Sequence, residues 1–446
     1  MTTMLTAVDE WLRRWSPTRR VRVVIGVIFA ASAGMQMFGV PFTSSFATRT
    51  RIDLDVYRIG AQIWQQGQSL YADGSMPFTS DGIWLPFTYP PFAALGFVPL
   101  GAMPLPVAGV VMSVFTIGLL VLSLHIVLSL ISVGTHGNRW WLATLIAAGA
   151  LWLNPVWMTL GFGQVNVILM AMILVDVFVV ARMRRPWGRA QGILAGLASA
   201  IKLTPLVFIG VFAAAGRWRA AATAGLAFVL AGAFAWVWLP GDSLGYWTHT
   251  LFHTTRIGDP AGRINQNLNA AWVRLLPGLD GQIAWVISSL AITALMVCAV
   301  RACRPRESFR AGANASARVN AVLATCAIAV WGLLVSPTSW AHHWVWAIPL
   351  IVTALAVSAR TSSRATRVAY LVLAVVGVIL FSLGPFQFLP QNSSSWSAPA
   401  QIVGSSYSIW GIAALVVLWR LPFHSADEAD DDDAAKRRAL ADTPIS

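Results

Sequence analysis

The chain has 446 residues, 57% of them hydrophobic and 11% charged, against roughly 25% charged in soluble domains, which excludes an ordinary water-soluble globule. Its net charge of +13 comes from arginines clustered between apolar runs, the mark of cytoplasmic loops rather than of a nucleic-acid surface. Cys298, Cys303 and Cys326 lie in or beside apolar runs, so neither a disulfide framework nor a zinc spacing is present.

Apolar runs of about 20 residues, enough to cross a ~30 Å hydrocarbon layer as helix, recur along nearly the whole chain. They lack the period-two alternation of barrel strands, which predicts an all-α polytopic membrane protein. Arg13, Arg14, Arg19, Arg20 and Arg22 precede a first run containing Ala31-Ser32-Ala33, a cluster that imitates a cleavable signal. A retained first helix over 22–40 is expected, behind a basic cytoplasmic N-terminus at 1–21. Further spans are predicted at 105–131, 139–158, 165–182, 219–239, 282–301, 318–337, 343–359, 368–386 and 402–420.

Four basic clusters fall between these spans: Arg182, Arg184, Arg185 and Arg189; Arg217 and Arg219; Arg301 to Arg318; and Arg360, Arg364 and Arg367. If all four are cytoplasmic, the segments 40–104, 159–164, 240–281, 338–342 and 387–401 face outward. Residues 84–104 carry Pro86, Pro90, Pro91, Pro99 and Pro104 and do not fit a plain span. The stretch 190–216 is basic at both flanks and too short for two crossings, which predicts a re-entrant or broken helix pair turning near Lys202-Leu203-Thr204-Pro205. Broken backbone at membrane depth is tolerated where it is packed in protein or lines a wet cavity, so this turn points to a site. The membrane domain is expected over 22–422, followed from about 423 by a disordered cytoplasmic tail, acidic and then basic.

The first outer segment opens with Arg51-Ile52-Asp53-Leu54-Asp55-Val56-Tyr57-Arg58. Asp53 and Asp55 are candidates for a general base at the membrane surface, where apolar surroundings raise a carboxyl pKa; the alternative is a pair of solvated acids matched to Arg51 and Arg58. Leu85-Pro86-Phe87-Thr88-Tyr89-Pro90-Pro91 is a rigid aromatic turn. In Gly161-Phe162-Gly163-Gln164-Val165-Asn166, Gln164 and Asn166 suit sugar hydroxyls or helix capping. Asp176, inside a predicted span, is a functional candidate or a packed polar partner.

Lys202 needs an anion or a watery cavity at that depth, and a phosphate headgroup would suit it; the alternative is a lysine snorkelling to the interface. The segment 240–281 holds His249, His253, Arg256 and Arg263, then Asn265-Gln266-Asn267, a density of carboxamides suited to carbohydrate or to any polar loop. Ser336-Pro337-Thr338-Ser339-Trp340-Ala341-His342-His343-Trp344 closes the series. Adjacent histidines on a helix point about 100° apart, so one is expected to face a shared cavity. Two histidines without a third ligand make a poor zinc site, and no metal or other cofactor is expected. Acid, amide, cation and imidazole on one side of a lipid-embedded fold describe sugar transfer from a polyprenyl-phosphate carrier.

The ordered succession Asp53-Leu-Asp-Val-Tyr57, Pro86-Phe-Thr-Tyr-Pro-Pro91, Gly163-Gln-Val-Asn166, Lys202-Leu-Thr-Pro205, Asn265-Gln-Asn267 and Ser336 to Trp344 resembles glycosyltransferase family 87. That resemblance implies a GT-C-type helix bundle and a polyprenyl-phosphomannose-dependent α-1,2-mannosyltransferase of actinobacterial envelopes. Arg51-Ile52-Asp53 and the Tyr246 to Gly258 stretch look most like the enzyme that branches lipomannan and lipoarabinomannan; extension of phosphatidylinositol mannosides is the close alternative.

The resemblance implies Asp53 as catalytic base, with Asp55 second, in an inverting displacement on the outer face of the cytoplasmic membrane. Lys202, His342, His343, Arg256 and Arg263 would hold the donor phosphate. Tyr57, Tyr89, Gln164, Asn166, His249, His253, Asn265, Gln266, Asn267 and Trp340 would contact sugar or acceptor. The partners implied are a lipid-linked sugar donor, a membrane-anchored mannan glycolipid and the bilayer. A transporter or flippase of lipid-linked sugar would share the cavity and the cation without needing the outer acid, and an arabinosyltransferase would differ in the sugar lost.

Overall fold

The computed structural model describes residues 2–43, 51–72, 74–183, 187–276, 278–310, 312–391, 393 and 396–423. The tail expected at 423–446 therefore lies outside the described residues beyond Phe423, as do Arg184 and Arg185 of the first basic cluster.

The all-α polytopic class expected from the apolar runs is the observed one, and no named strand occurs among the described residues. An amphipathic helix α1 (Thr2–Arg14) precedes α2 (Arg19–Phe38), and the Asp9 carboxylate on α1 pairs with Arg360 at 2.8 Å. The first outer segment is not a loop. It folds as α3 (Ile52–Gln65) and two short helices, α4 (Pro91–Gly96) and α5 (Val98–Gly101). Leu54, Tyr57 and Ala61 form the buried stripe of α3, spaced as one helical face requires. The proline-rich strap 86–90 crosses α3 at Gly60, where a Cβ would stand 2.5 Å from the Phe87 ring, so only glycine allows the approach.

After α6 (Leu105–Leu130), the run predicted as one span over 139–158 divides into α7 (Arg139–Ala150) and α8 (Asn154–Phe162), bent by 80°. Pro155 explains the break, because a proline mid-span would delete a helix hydrogen bond and clash with the preceding turn, whereas it fits a helix start. The span predicted at 165–182 is α9 (Asn166–Leu174) followed by a π turn at Val175–Val179. Asp176 in that turn accepts from the Gly192 and Ala195 N–H groups at 2.7 and 2.8 Å and so caps α10 (Ile193–Ile201). It is a structural acid.

The chain then breaks where the sequence predicts. Lys202 is extended (φ −148°), and a 3-10 turn at Thr204–Phe208 leads into α11 (Ile209–Ala214). Next come α12 (Trp218–Trp238), α13 (Pro240–Thr248), α14 (Leu268–Leu275), α15 (Leu279–Ala302), the single turn α16 (Pro305–Ser308) and α17 (Ala315–Val335). A 3-10 stretch at Ala341–Trp346 runs into α18 (Ala347–Arg360), then α19 (Arg364–Leu383), α20 (Ala398–Gly404) and α21 (Ser406–Arg420). Among the described residues seven helices are long and apolar enough to cross a membrane, or nine if the two bent pairs count as one span each. The chain is a multi-pass membrane protein.

Polar contacts sort the connections into two faces. On one, Arg360 binds Asp9, Arg318 reaches Ser132 at 3.2 Å, Arg219 reaches the Arg189 carbonyl and Arg217 the Phe309 carbonyl. On the other, Asp242 accepts from the Leu70 N–H, Asn265 from the Ser339 N–H, and Gln266 donates to the Gly404 carbonyl. The arginine clusters collect on the first face, and the candidate site lies toward the second.

Candidate active site

A cavity of about 730 Å³ opens between the start of α3, the proline-rich strap, the break after α10, the 250–258 segment and the turn before α18. Asp53 enters it from the first turn of α3. Its Oδ2 accepts from Gln164 Nε2 at 2.8 Å, and Gln164 Oε1 stands 2.9 Å from the Tyr57 hydroxyl and 3.0 Å from that of Tyr89. Loss of hydration pushes the Asp53 pKa up to about 6, against the pull of the Gln164 hydrogen bond and of the Lys202 charge. Asp55 does something else. Two positions along a helix is about 200° of rotation, so it points away from Asp53, and it does not line the cavity. It pairs with Arg58 at 2.6 Å and accepts from the Ser80 N–H and hydroxyl at 2.8 and 2.7 Å. The second-choice base is thus a buried clamp between α3 and Ser80, paired with Arg58 rather than with solvent, and Arg51 turns instead to the Met37 carbonyl.

Lys202 reaches the cavity because its extended backbone interrupts the helix there. Its Nζ lies 3.0 Å from His343 Nε2, 3.4 Å from Asn166 Oδ1 and 5.4 Å from the centre of the Tyr89 ring. Among the described residues it has no carboxylate within ion-pair distance. Both histidines line the cavity, where one was expected: the turn is 3-10, and the rings stand at 89° with centroids 4.6 Å apart, flanking the same space. His342 is buried with no hydrogen-bond partner at either ring nitrogen among the described residues, and its ring stands at 84° to that of Phe162. Asn166 does not line the main cavity. Its amide donates to the His342 carbonyl at 3.0 Å, so it braces the histidine turn rather than a sugar. The site has the parts for proton abstraction at one wall and anion binding at the other.

Comparison with known proteins decides the family. The family model described as glycosyltransferase family 87 matches residues 87–337. A Mycobacterium tuberculosis protein, polyprenol-phosphate-mannose-dependent alpha-(1-2)-phosphatidylinositol mannoside mannosyltransferase, is 38% identical over 90% of this chain and 92% of its own length. The Mycolicibacterium smegmatis protein of the same name is 37% identical over 86% of this chain and 87% of its own. The chain belongs to glycosyltransferase family 87. It is an enzyme, a mannosyltransferase. A second M. smegmatis relative, named for a phosphatidylinositol pentamannoside, is 33% identical over 73% of this chain and 75% of its own. Among solved structures, ArnT from Cupriavidus metallidurans bound to undecaprenyl phosphate aligns over 95% of this chain and 80% of its own, at 15% identity and a TM-score of 0.29.

The remaining residues singled out in this family 87 chain divide between wall and frame. Tyr57, Tyr89, Gln164, His253, Arg256 and Trp340 line the cavity. His249 does not; it is exposed, with its ring centre 4.0 Å from that of His253. Arg263 is drawn off by the carbonyls of Gln387 and Leu389, at 3.0 and 2.6 Å, and is not a cavity cation. Asn265, Gln266 and Asn267 are fully buried and face backbone. Asn265 accepts from Ser339 N–H, Gln266 donates to Arg263 and Gly404 carbonyls, and Asn267 caps α14 and donates to the Ser336 carbonyl. Buried amides must be satisfied, and here loop backbone does it, leaving nothing for a sugar. Leu203, Val207 and Gly332 also form cavity wall, and in an apolar run nothing local distinguishes such residues. No group of three or more His, Cys, Asp or Glu among the described residues is placed to hold a metal ion.

Proposed function

We propose that this mannosyltransferase transfers mannose from polyprenol-phosphate-mannose to a 2-hydroxyl of a phosphatidylinositol mannoside, forming an α-(1→2) bond with inversion. Asp53 takes the hydroxyl proton and the acceptor oxygen bonds to the anomeric carbon. The bond from that carbon to the phosphate oxygen breaks, and polyprenyl phosphate leaves with the electron pair. Lys202 and Arg256, with His342 and His343 beside them, stabilise the charge that develops on the phosphate, where fixed positive groups act most strongly.

One observation carries this reading: a carboxylate and an ammonium with no ion-pair partner among the described residues face a single cavity from separate elements, close enough for the Lys202 charge to act on Asp53. The names of the curated relatives favour phosphatidylinositol mannoside over the lipomannan and lipoarabinomannan backbone that the 51–53 and 246–258 sequences suggest. The positive-inside rule favours placing the arginine-rich face in the cytoplasm, which puts the cavity at the outer side of the cytoplasmic membrane. Purified protein given polyprenol-phosphate-mannose and a panel of acceptors tests the assignment: phosphatidylinositol mannosides should accept mannose and a linear mannan should not. Asp53→Asn should lower turnover by about 10²–10⁴-fold while donor binding persists. Turnover near the wild-type rate in that variant would remove Asp53 as the base.

A further inference from the structure

Gln164 reports which way its carboxamide faces. Its oxygen is 2.9 Å from the Tyr57 hydroxyl and 3.0 Å from the Tyr89 hydroxyl, which are themselves 2.6 Å apart, and its nitrogen is 2.8 Å from Asp53 Oδ2. Tyr57 donates to the Gln164 oxygen, and either tyrosine hydroxyl can donate to the other. Reversing the amide would set its oxygen against the carboxylate, acceptor against acceptor, and would leave the two hydroxyls only each other as acceptors for their protons. One orientation satisfies every group.

We propose that Tyr57 and Tyr89 are positioning residues of the transfer reaction: together they lock the Gln164 carboxamide so that its NH₂ holds Asp53 Oδ2, leaving Oδ1 to receive the acceptor proton. The inference rests on Asp53 being the base and reassigns both tyrosines from sugar contact to control of that base. Each ring is held independently of its hydroxyl, Tyr57 stacked on Phe97 at 4.3 Å and Tyr89 edge-on to Phe97, so phenylalanine keeps the packing and removes only the polar link. The hydrogen bond from Gln164 favours the charged carboxylate. Losing the lock therefore raises the pH at which Asp53 becomes a base. The other charged or titratable side chains lining the cavity are Lys202, Arg256, Tyr246, His253, His342 and His343, and the Lys202–His343 and His253–His249 contacts do not pass through either tyrosine hydroxyl.

The experiment is the pH dependence of kcat/KM for polyprenol-phosphate-mannose in Tyr57→Phe, Tyr89→Phe and the double variant, with thermal unfolding in detergent as a folding control. In the double variant the acid limb should move up by about one pH unit, the scale of one charge-assisted hydrogen bond, with donor KM within about twofold of wild type. Each single variant keeps one hydroxyl on Gln164 and should shift the limb by less. Gln164→Leu should reproduce the double variant, and adding the tyrosine changes to it should produce no further shift. An unmoved limb with a several-fold rise in KM for donor or acceptor would overturn the proposal and return the tyrosines to sugar binding. If Asp53→Asn is inactive while the limb stays fixed, the lock alone fails; if Asp53→Asn is active, the base itself fails.

Discussion

Asp53 and Asp55 share a helix turn, and their surroundings set them different tasks. Asp53, dehydrated and titrating at about 6, is ionised at neutral pH yet basic enough to take a proton. Rate should accordingly rise with pH through about 6 and level off above it, since the base works only when deprotonated; a kcat/KM profile between pH 5 and 8 checks this. The stability sign is opposite to that of an ordinary paired acid. A folded-state pKa raised above 3.8 means that ionisation opposes folding, a cost that appears as pH rises from about 4 to about 6 and then stays. Asp53→Asn should thus unfold no earlier than wild type at pH 7, which separates lost chemistry from lost structure. Asp55→Asn should behave in reverse. It strips the buried partner from Arg58, a change that typically costs about 3–5 kcal/mol, and should lower the unfolding temperature while leaving the pH limb in place.

At the scale of elements, the site is made of interruptions. The α7–α8 bend, the π turn after α9, the extended Lys202 and the 3-10 turn at Ala341–Trp346 each replace a straight span with backbone that sets a side chain beside the cavity or braces one that does. Such backbone needs partners inside the protein, because lipid supplies none. Asp176 is one, capping α10 through two N–H groups, and α10 ends at Lys202. Replacing Asp176 with Ala removes a buried cap and should cost at least the usual ~1–2 kcal/mol, read as a lower unfolding temperature in detergent. Donor KM should rise in the same variant as Lys202 loses its fixed position.

The whole molecule separates its charges by face, arginine clusters at one end of the bundle and the cavity at the other. Within the cavity the cationic function falls to side chains, Lys202 and Arg256. The reaction is therefore proposed to need no metal, and mannosyl transfer by purified protein should be unchanged in excess EDTA; loss of activity restored by a divalent cation would contradict this. The buried framework of Asn265, Gln266 and Asn267 joins the 259–267 segment to the Ser336–Trp340 turn and to α20, closing the cavity on its far side.

Much of this was legible in the chain alone. Apolar run length determines the helical membrane class, because lipid admits no other spanning backbone for such runs, and arginine placement determines which ends gather together. A lysine three residues before a proline in a short apolar stretch marks the break, since neither residue is stable in an unbroken lipid-facing helix. Other features were decided only by the tertiary structure. Gln164 and Gln266 are the same side chain in similar polar surroundings, yet one binds the catalytic candidate and the other binds loop carbonyls. Arg256 and Arg263 divide in the same way between cavity and frame. A carboxamide or guanidinium satisfies itself with whatever the fold brings within about 3 Å, and those partners lie 100 or more residues away for several of these contacts, beyond any local pattern.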